Sequence, residues 1–296
     1  MNQPEAFFLQ TDTPSRGQRL CLFHPAQGAL LRGRVVYVHP FAEEMNKSRR
    51  MAATQARAMA AAGFSVLQID LLGCGDSSGD FGDASWQDWI EDVLRACNWI
   101  GARDAAHAAA PLWLWGLRAG CLLAAAAAAR LEEPCNFCFW QPITSGRQQM
   151  QQFMRLRLAA DLLAGNSKGM MEAMRQQLAN GDTLEIAGYR LAADLALGLE
   201  QAHLLPPAPA RPGRLAWFEV STALPDNSPS PVSAQAIARW AESGYRCDRH
   251  PVQGPAFWQT TEIEDAPALI AATMAALLSG IGLTADQSGL SEAVAS

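Results

Sequence analysis

The sequence predicts an α/β fold in which helices cover both faces of one large, mostly parallel β-sheet. Apolar runs of strand length recur along the chain, and stretches with helical periodicity and good helix formers separate them. This alternation requires parallel pairing with right-handed crossovers, which places helices on both faces of the sheet. The chain has 296 residues, 49% of them hydrophobic, which is enough for one such domain with an insertion.

Eight strands are predicted in chain order, and the first two form a hairpin. The clearest helical stretches between the later strands are residues 51–62 and 84–100. The predicted strands are residues 6–10, 18–23, 34–38, 66–70, 112–115, 136–140, 214–220 and 245–252.

Residues 116–120, directly after the fifth predicted strand, read Gly-Leu-Arg-Ala-Gly. The pattern G-x-S-x-G places a nucleophilic serine on a strained turn between a strand and a helix. Both glycines are kept here, so the backbone can still make the tight turn. The central residue, however, is Arg118, whose protonated guanidinium cannot act as an acyl-transfer nucleophile. Eight strands, an opening hairpin and an elbow after the fifth strand together predict the α/β-hydrolase fold.

One segment interrupts the alternation of strands and helices. Residues 141–205 contain helical stretches and no convincing strand. We interpret this segment as a helical cap inserted after the sixth strand, between core segments 1–140 and 206–282. Residues 283–296 are small and polar, and we expect a disordered tail. The methionines of the cap suit either a pliable apolar surface or the packed core of the cap itself. They are Met150, Met154, Met170, Met171 and Met174.

Composition restricts the partners and the cellular location. The net charge of −6 argues against a nucleic-acid partner. No apolar run reaches the roughly 18 to 20 residues that span a bilayer, and the first residues lack the features of a signal peptide. Seven cysteines, an odd number, favour reduced thiols and therefore the cytoplasm. The sequence contains no metal-ligand cluster and no nucleotide fingerprint, so we expect no cofactor.

Two longer motifs resemble those of a known family. Residues 39–50 read His-Pro-Phe-Ala-Glu-Glu-Met-Asn-Lys-Ser-Arg-Arg, and residues 70–79 read Asp-Leu-Leu-Gly-Cys-Gly-Asp-Ser-Ser-Gly. With residues 186–189 and 254–262, they are similar to the second family of exosortase A system-associated hydrolases, which are serine aminopeptidase-like proteins of the α/β-hydrolase superfamily. The resemblance implies that fold and a role in the exosortase and exopolysaccharide system. The Arg118 elbow is also similar to that of the family, whose name comes from fold and gene context and implies no particular activity.

An acyl-transfer hydrolase needs two backbone donors beside its nucleophile to stabilise the oxyanion. The residue after the elbow apex supplies the first, here the N–H of Ala119. The second comes from the loop after the third strand, where Pro40 has no N–H and the N–H of Phe41 is therefore the candidate. His39 begins this loop and is either part of the ligand site or a structural histidine that ties the loop down.

The other two catalytic positions lack an evident acid–base pair. The base should follow the last strand, but that loop contains Phe257 and Trp258 instead of a histidine. We expect these two aromatic residues either to form an apolar wall facing the elbow or to pack under the last helix. The acid should follow the seventh strand, where Asp226 lies in a loop rich in proline and serine. Asp226 is therefore either the acid or an ordinary turn residue.

An arginine at the elbow predicts one of two roles. The start of a helix attracts anions, and a guanidinium binds carboxylate or phosphate with a bidentate fork, so Arg118 could grip an anionic ligand. The cation also lies against the helix dipole and should attract an internal counter-charge, which would make Arg118 a structural plug. Four carboxylates in neighbouring loops could supply that charge: Glu43, Glu44, Asp70 and Asp76.

We therefore expect a hydrolase-fold protein without serine-hydrolase chemistry. It would bind a small anionic or acyl-bearing ligand, or a protein of the exosortase and exopolysaccharide system. One alternative is an active hydrolase of an ester, thioester or amide with an unrecognised nucleophile, for which Cys121 and Cys74 are the candidates. Another alternative is a scaffold that docks through its cap.

Overall fold

A computed structural model describes residues 3–11, 16–103, 109–162, 169–208, 212–223 and 228–279. Asp226 and the predicted tail, residues 283–296, lie outside these ranges. None of the helices within them is both long and apolar enough to cross a bilayer.

The main sheet has eight strands, and six adjacent strands form its continuous parallel part. The strands within the described ranges are β1 (Glu5–Gln10), β2 (Gln18–His24), β3 (Gly33–Val38), β4 (Phe64–Ile69), β5 (Leu112–Leu117), β6 (Cys135–Trp140), β7 (Leu184–Ile186), β8 (Tyr189–Leu191), β9 (Arg214–Ser221) and β10 (Arg246–Gln253). The order in the sheet is β1-β2-β4-β3-β5-β6-β9-β10. The pairs β1–β2 and β2–β4 are antiparallel and the others are parallel, which confirms the predicted sheet and its opening hairpin.

Helices pack on both faces of this sheet, as predicted. They are α1 (Glu43–Ala61), α2 (Trp86–Arg103), α3 (Ala119–Ala128), α4 (Gly146–Leu162), α5 (Met170–Ala179), α6 (Ala193–Gln201), α7 (Pro231–Glu242) and α8 (Pro267–Ser279). Trp89 of α2, Leu122 of α3 and Trp240 of α7 share one hydrophobic cluster. Met51 of α1 and Leu269 of α8 belong to a second cluster on the opposite face. The two clusters bury the two faces of the central strands.

Helix α1 begins at Glu43, eight residues earlier than the helical stretch that the sequence pattern predicted. Ala42 precedes it with φ 51° and ψ −126°, a backbone conformation that residues other than glycine rarely adopt. Two glutamates, Glu43 and Glu44, occupy its first turn, where negative charge favours the helix dipole. The first half of α1 therefore consists of motif residues that the pattern had assigned to a loop.

The segment after β6 contains α4, α5, α6 and a small hairpin formed by β7 and β8. The expectation that residues 141–205 contain no strand was therefore wrong. Each of these strands has only three residues, too few to show an alternating pattern. The turn between them consists of Ala187 and Gly188, both with positive φ (50° and 82°), as a two-residue hairpin turn requires.

The cap methionines pack in the interior. Met150, Met154 and Met174 are at most 3% exposed and belong to the same hydrophobic cluster as Trp89 of α2. Of the two interpretations that the sequence left open, the structure supports a packed core for these three residues. The cap thus shares its apolar interior with the helices of one sheet face.

The two elbow glycines lie where no side chain fits. A Cβ on Gly120 would lie 2.2 Å from the carbonyl oxygen of Val38 and 2.7 Å from that of His39. A Cβ on Gly116 would lie 2.7 Å from the Cα of Cys121. The turn between β5 and α3 therefore contacts the end of β3 directly.

Gly120→Ala should destabilise the protein by about 2 kcal/mol or more, because backbone atoms cannot move aside as a flexible side chain would. Gly101→Ala is the matched control, since its Cβ would meet only the Nη1 end of Arg34, at 3.2 Å. That control should be neutral or stabilising by up to about 1 kcal/mol, as expected for alanine within a helix. Urea unfolding of the three proteins measures both effects. Equal stability of Gly120→Ala and the wild type would contradict the close packing of the elbow.

Candidate functional site

Arg118 forms the apex of the elbow. It is the N-cap of α3, with φ 55° and ψ −120°, a strained conformation for a residue with a side chain. Its N–H donates to the carbonyl of Trp140 at 3.0 Å, and its carbonyl accepts from the N–H of Cys121 at 3.0 Å. The strained turn is thus fully formed around an arginine.

The guanidinium of Arg118 is enclosed by four side chains, and the residue is only 8% exposed. Its Nε donates to Oε1 of Glu44 at 3.2 Å. Its Nη2 donates to the amide oxygens of Gln152 at 3.1 Å and Gln149 at 3.5 Å. The guanidinium carbon lies 5.7 Å from the ring centroid of Trp258, within cation–π range. Arg118 therefore connects α1, the cap helix α4 and the loop after β10.

Glu44 is the counter-charge of Arg118, but only one of its oxygens has a hydrogen-bond partner. The residue is 4% exposed, and no described residue donates a hydrogen bond to its Oε2. Burial raises the pKa of Glu44 to about 7, and the nearby Arg118 guanidinium opposes this rise. Desolvation of the carboxylate is therefore the larger of the two effects.

His39 is bonded to the main chain through both ring nitrogens. The N–H of Leu71 donates to its Nε2 at 3.4 Å, so the ring proton is on Nδ1, which donates to the carbonyl of Pro40 at 2.8 Å. Burial lowers the pKa of His39, which favours this neutral form. These contacts fit the structural role that the sequence left open, in which His39 ties down the loop before α1.

The two candidate oxyanion donors lie in loops that contact each other. Gly120, next to Ala119, lies against the backbone of Val38 and His39, and Phe41 follows two residues later. Neither the N–H of Ala119 nor that of Phe41 donates a hydrogen bond to another described residue. Within the described residues, both N–H groups are therefore without a hydrogen-bond acceptor, and both loops lie beside Arg118.

Phe257 and Trp258 differ in their surroundings. Phe257 is fully buried in the cluster beneath α1 and α8, where its ring packs against Trp140 at 6.2 Å. Trp258 faces the guanidinium of Arg118 and contacts the Phe257 ring at 5.0 Å. Of the expected aromatic wall, only Trp258 borders the elbow. The histidine nearest in sequence to this loop is His250, which lies within β10 and stacks on Phe218 with ring centroids 4.7 Å apart.

The candidate thiol nucleophiles are buried. Burial raises the pKa of Cys121 and of Cys74, so both thiols resist ionisation. Cys135 and Cys138 belong to different hydrophobic clusters and therefore point to opposite faces of β6. In the part of the chain that the structure describes, no three His, Cys, Asp or Glu side chains are grouped as ligands of a metal ion.

Gln149 and Gln152 are site residues that the sequence did not reveal. They are three positions apart on α4 and therefore share one helix face. The run Gln148, Gln149, Gln151 and Gln152 was the only signal, and amide side chains on a cap helix have no characteristic motif. Asp70, another possible counter-charge, instead pairs with Arg49 at 2.9 Å.

A pocket of about 210 Å³ lies directly outside the Arg118–Glu44 pair. Helix α1, cap helix α4 and the loop after β10 all contribute to it. Its polar lining residues are Glu43, Glu44, Lys47, Gln149, Gln152 and Gln259. This pocket occupies the place above the elbow where the cap meets the core.

Residues 30–178 match the sequence model of the family described as serine aminopeptidase, S33. The chain belongs to this family. The matched segment begins before β3 and includes the elbow and the first two cap helices. No functionally curated protein matches the sequence significantly.

Solved structures of other hydrolases share the fold of this S33 family member. Est1E from Butyrivibrio proteoclasticus with bound ferulic acid is 14% identical, with 94% of this chain and 100% of that chain covered and a TM-score of 0.65. A soluble variant of monoglyceride lipase from Saccharomyces cerevisiae is 14% identical over 94% and 95% of the two chains, with a TM-score of 0.59. XC6422 from Xanthomonas campestris, an α/β serine hydrolase without a lid, is 17% identical over 95% and 94%, with a TM-score of 0.53. These likenesses confirm the α/β-hydrolase fold.

The stability of the protein should depend on the ionisation of Glu44. Its pKa is about 7 in the folded protein and near 4.5 without the fold, so the folded state binds the proton more tightly. This contribution to the free energy of unfolding is complete below about pH 4.5 and is lost as the pH rises through about 7. Between pH 5 and 8 the wild type should lose up to about 3 kcal/mol relative to Glu44→Gln. Urea unfolding of both proteins measures the difference, and histidines and other acids cancel in it. A difference independent of pH would contradict a raised pKa for Glu44.

Removing the buried Arg118 side chain should destabilise the protein more than removing an exposed arginine. Arg118→Met leaves the buried Glu44 carboxylate unpaired and should destabilise the protein by about 3–5 kcal/mol at pH 8. The double variant Arg118→Met/Glu44→Leu should recover most of this loss. Arg50→Met is the matched control, because the Arg50–Asp265 pair is exposed, with 63% and 46% side-chain accessibility. It should cost less than about 1 kcal/mol. Similar losses for Arg118→Met and Arg50→Met would show that the buried pair has no special role.

Proposed function

We propose that this S33 family member is a binding protein without serine-hydrolase activity. The observation that carries the proposal is the identity and pairing of the elbow apex. Arg118 adopts the strained conformation of a nucleophile but is held by Glu44 at 3.2 Å. A guanidinium has no lone pair with which to attack a carbonyl.

The remaining catalytic positions support the same proposal. The loop after β10, which the structure describes completely, contains Phe257 and Trp258 at the place of the base, and Phe257 is packed into the core. A histidine introduced there would have to displace that packing. The two candidate backbone donors, the N–H groups of Ala119 and Phe41, would leave only residual catalysis without a nucleophile and a base.

The buried cysteines weaken the alternative of an unrecognised nucleophile. A thiol attacks as its thiolate, and burial raises the pKa of both Cys121 and Cys74. Cys247 is the one partly exposed cysteine among the seven, and it lies in β10 beside α7. Its pKa is also raised by burial, to about 11.

The contacts of Arg118 support a structural plug rather than an anion grip. Glu44 neutralises the guanidinium charge, and two glutamine oxygens use its Nη2. An anionic ligand would have to compete with the carboxylate already present. We therefore propose that a ligand, including an acyl-bearing one, binds in the pocket outside the pair, where Phe153 and Leu156 supply an apolar side.

We further propose that the ligand or partner belongs to the exosortase and exopolysaccharide system and is met in the cytoplasm. The resemblance of residues 39–50 and 70–79 supports this setting. These two motifs form one structural unit, since Arg49 of the first pairs with Asp70 of the second. Gly75 is required there, because a Cβ would lie within 1.9 Å of the Asp70 carboxylate.

The wild type should not react with a fluorophosphonate probe, because no serine is activated. Turnover of p-nitrophenyl butyrate should equal that of heat-denatured protein. Arg118→Ser should also remain inactive, since the base is absent and Glu44 loses its cation. Gel fluorescence after labelling and absorbance of p-nitrophenol measure the two responses. Labelling or turnover that one serine substitution abolishes would refute the proposal, as would turnover abolished by Cys121→Ala or Cys74→Ala.

A further inference from the structure

We propose that the pocket outside the Arg118–Glu44 pair binds an uncharged ligand through neighbouring hydroxyl groups. The inference rests on the proposed binding function and names the chemistry of its ligand. The pocket has a volume of about 210 Å³, which suits a single six-membered ring with substituents. Three elements line it, so a bound ligand would contact both the core and the cap.

Two acceptors on the wall of this pocket lack donors. Oε2 of Glu44 and Oε2 of Glu43 are both buried, and neither accepts a well-formed hydrogen bond from a described residue. The Gln259 side chain, also on the pocket wall, lies close enough to Glu44 to lower its pKa and is the only described side chain besides Arg118 that does so by hydrogen bonding. Glu44 is 4% exposed, and its other oxygen already accepts from Arg118. A buried acceptor without a donor costs free energy, so a ligand that brings O–H or N–H groups gains affinity here.

The charges around the pocket are balanced once the pH is above the pKa of Glu44, about 7. The two carboxylates of Glu43 and Glu44 face two cations, Arg118 and Lys47. Lys47 lies at the rim, where its Nζ donates to the main-chain carbonyl of Gln259 at 3.3 Å. An ammonium or carboxylate ligand would introduce an unpaired charge into a half-buried space, which is costly. An uncharged ligand avoids this penalty.

The glutamines favour hydroxyl groups among uncharged donors. Gln149 and Gln152 direct their carbonyl oxygens to Arg118, and their amide NH₂ groups donate to no other described residue. A hydroxyl group can donate and accept at the same time. Adjacent hydroxyls can therefore donate to the glutamate oxygens while they accept from the amide groups. Phe153 and Leu156 offer an apolar surface for the carbon skeleton.

Four probes of similar shape distinguish recognition of neighbouring hydroxyl groups from recognition of a single hydroxyl, a cation or an anion. Titration calorimetry and the shift in Tm should show binding of cis-1,2-cyclohexanediol to the wild type, with weaker binding of cyclohexanol. Cyclohexylammonium and cyclohexanecarboxylate, at ionic strength matched with KCl, should bind more weakly than the diol. At pH 8, where Glu44 is mostly ionised, Glu44→Gln should raise the Kd of the diol about tenfold, because one bond to a charged acceptor is lost. Glu242→Gln, an exposed substitution in α7, should leave the Kd unchanged.

Every other ranking of the probes overturns the inference. Tightest binding of the ammonium would indicate a cation site, and tightest binding of the carboxylate would indicate an anion site at Arg118. Absence of binding, or equal diol affinity in Glu44→Gln, would also overturn it. If Glu44→Gln does not fold, Glu43→Gln takes its place with the same expected loss. Ester turnover is measured separately. Hydrolysis would refute the proposed function, whereas a protein that neither hydrolyses the ester nor binds the diol would refute only this inference.

Discussion

The ion pair between Arg118 and Glu44 determines how the site is built. A cation at the start of a helix opposes the helix dipole, and a buried cation without a partner is strongly destabilising. Glu44 supplies the counter-charge from the first turn of α1, and Gln149 and Gln152 satisfy further donors from the cap. The arginine at the elbow apex therefore connects α1, the cap helix α4 and the loop after β10.

This pair depends in turn on two strained backbone positions. Arg118 and Ala42 both have positive φ, 55° and 51°, and both are N-caps, of α3 and α1 respectively. Such conformations persist only where the surrounding packing enforces them. Here the tight contact of Gly120 with the backbone at Val38 and His39 fixes one loop against the other. The strained turn thus positions the ion pair between Arg118 and Glu44.

The fold and the elbow could be predicted because their signals are local. Strand and helix periodicity can be read from short windows of sequence, and Gly116 and Gly120 mark a turn where a Cβ does not fit. The sequence left four carboxylates as possible partners of Arg118, because the ion pair joins residues that are far apart in the sequence. Glu44 lies 74 residues away in sequence and Gln152 lies 34 away. Amide side chains have no characteristic spacing, so the role of the two glutamines could not be predicted from the sequence.

The desolvation of Glu44 determines what a serine at position 118 would meet. The carboxylate is buried, with a pKa raised to about 7 even beside a guanidinium. Without Arg118 its pKa would rise further, since the main opposing influence would be gone. A serine at the apex would then face a protonated acid instead of a basic imidazole. The arginine and the glutamate are therefore energetically coupled. Each charge is tolerated in the interior only because the other is there.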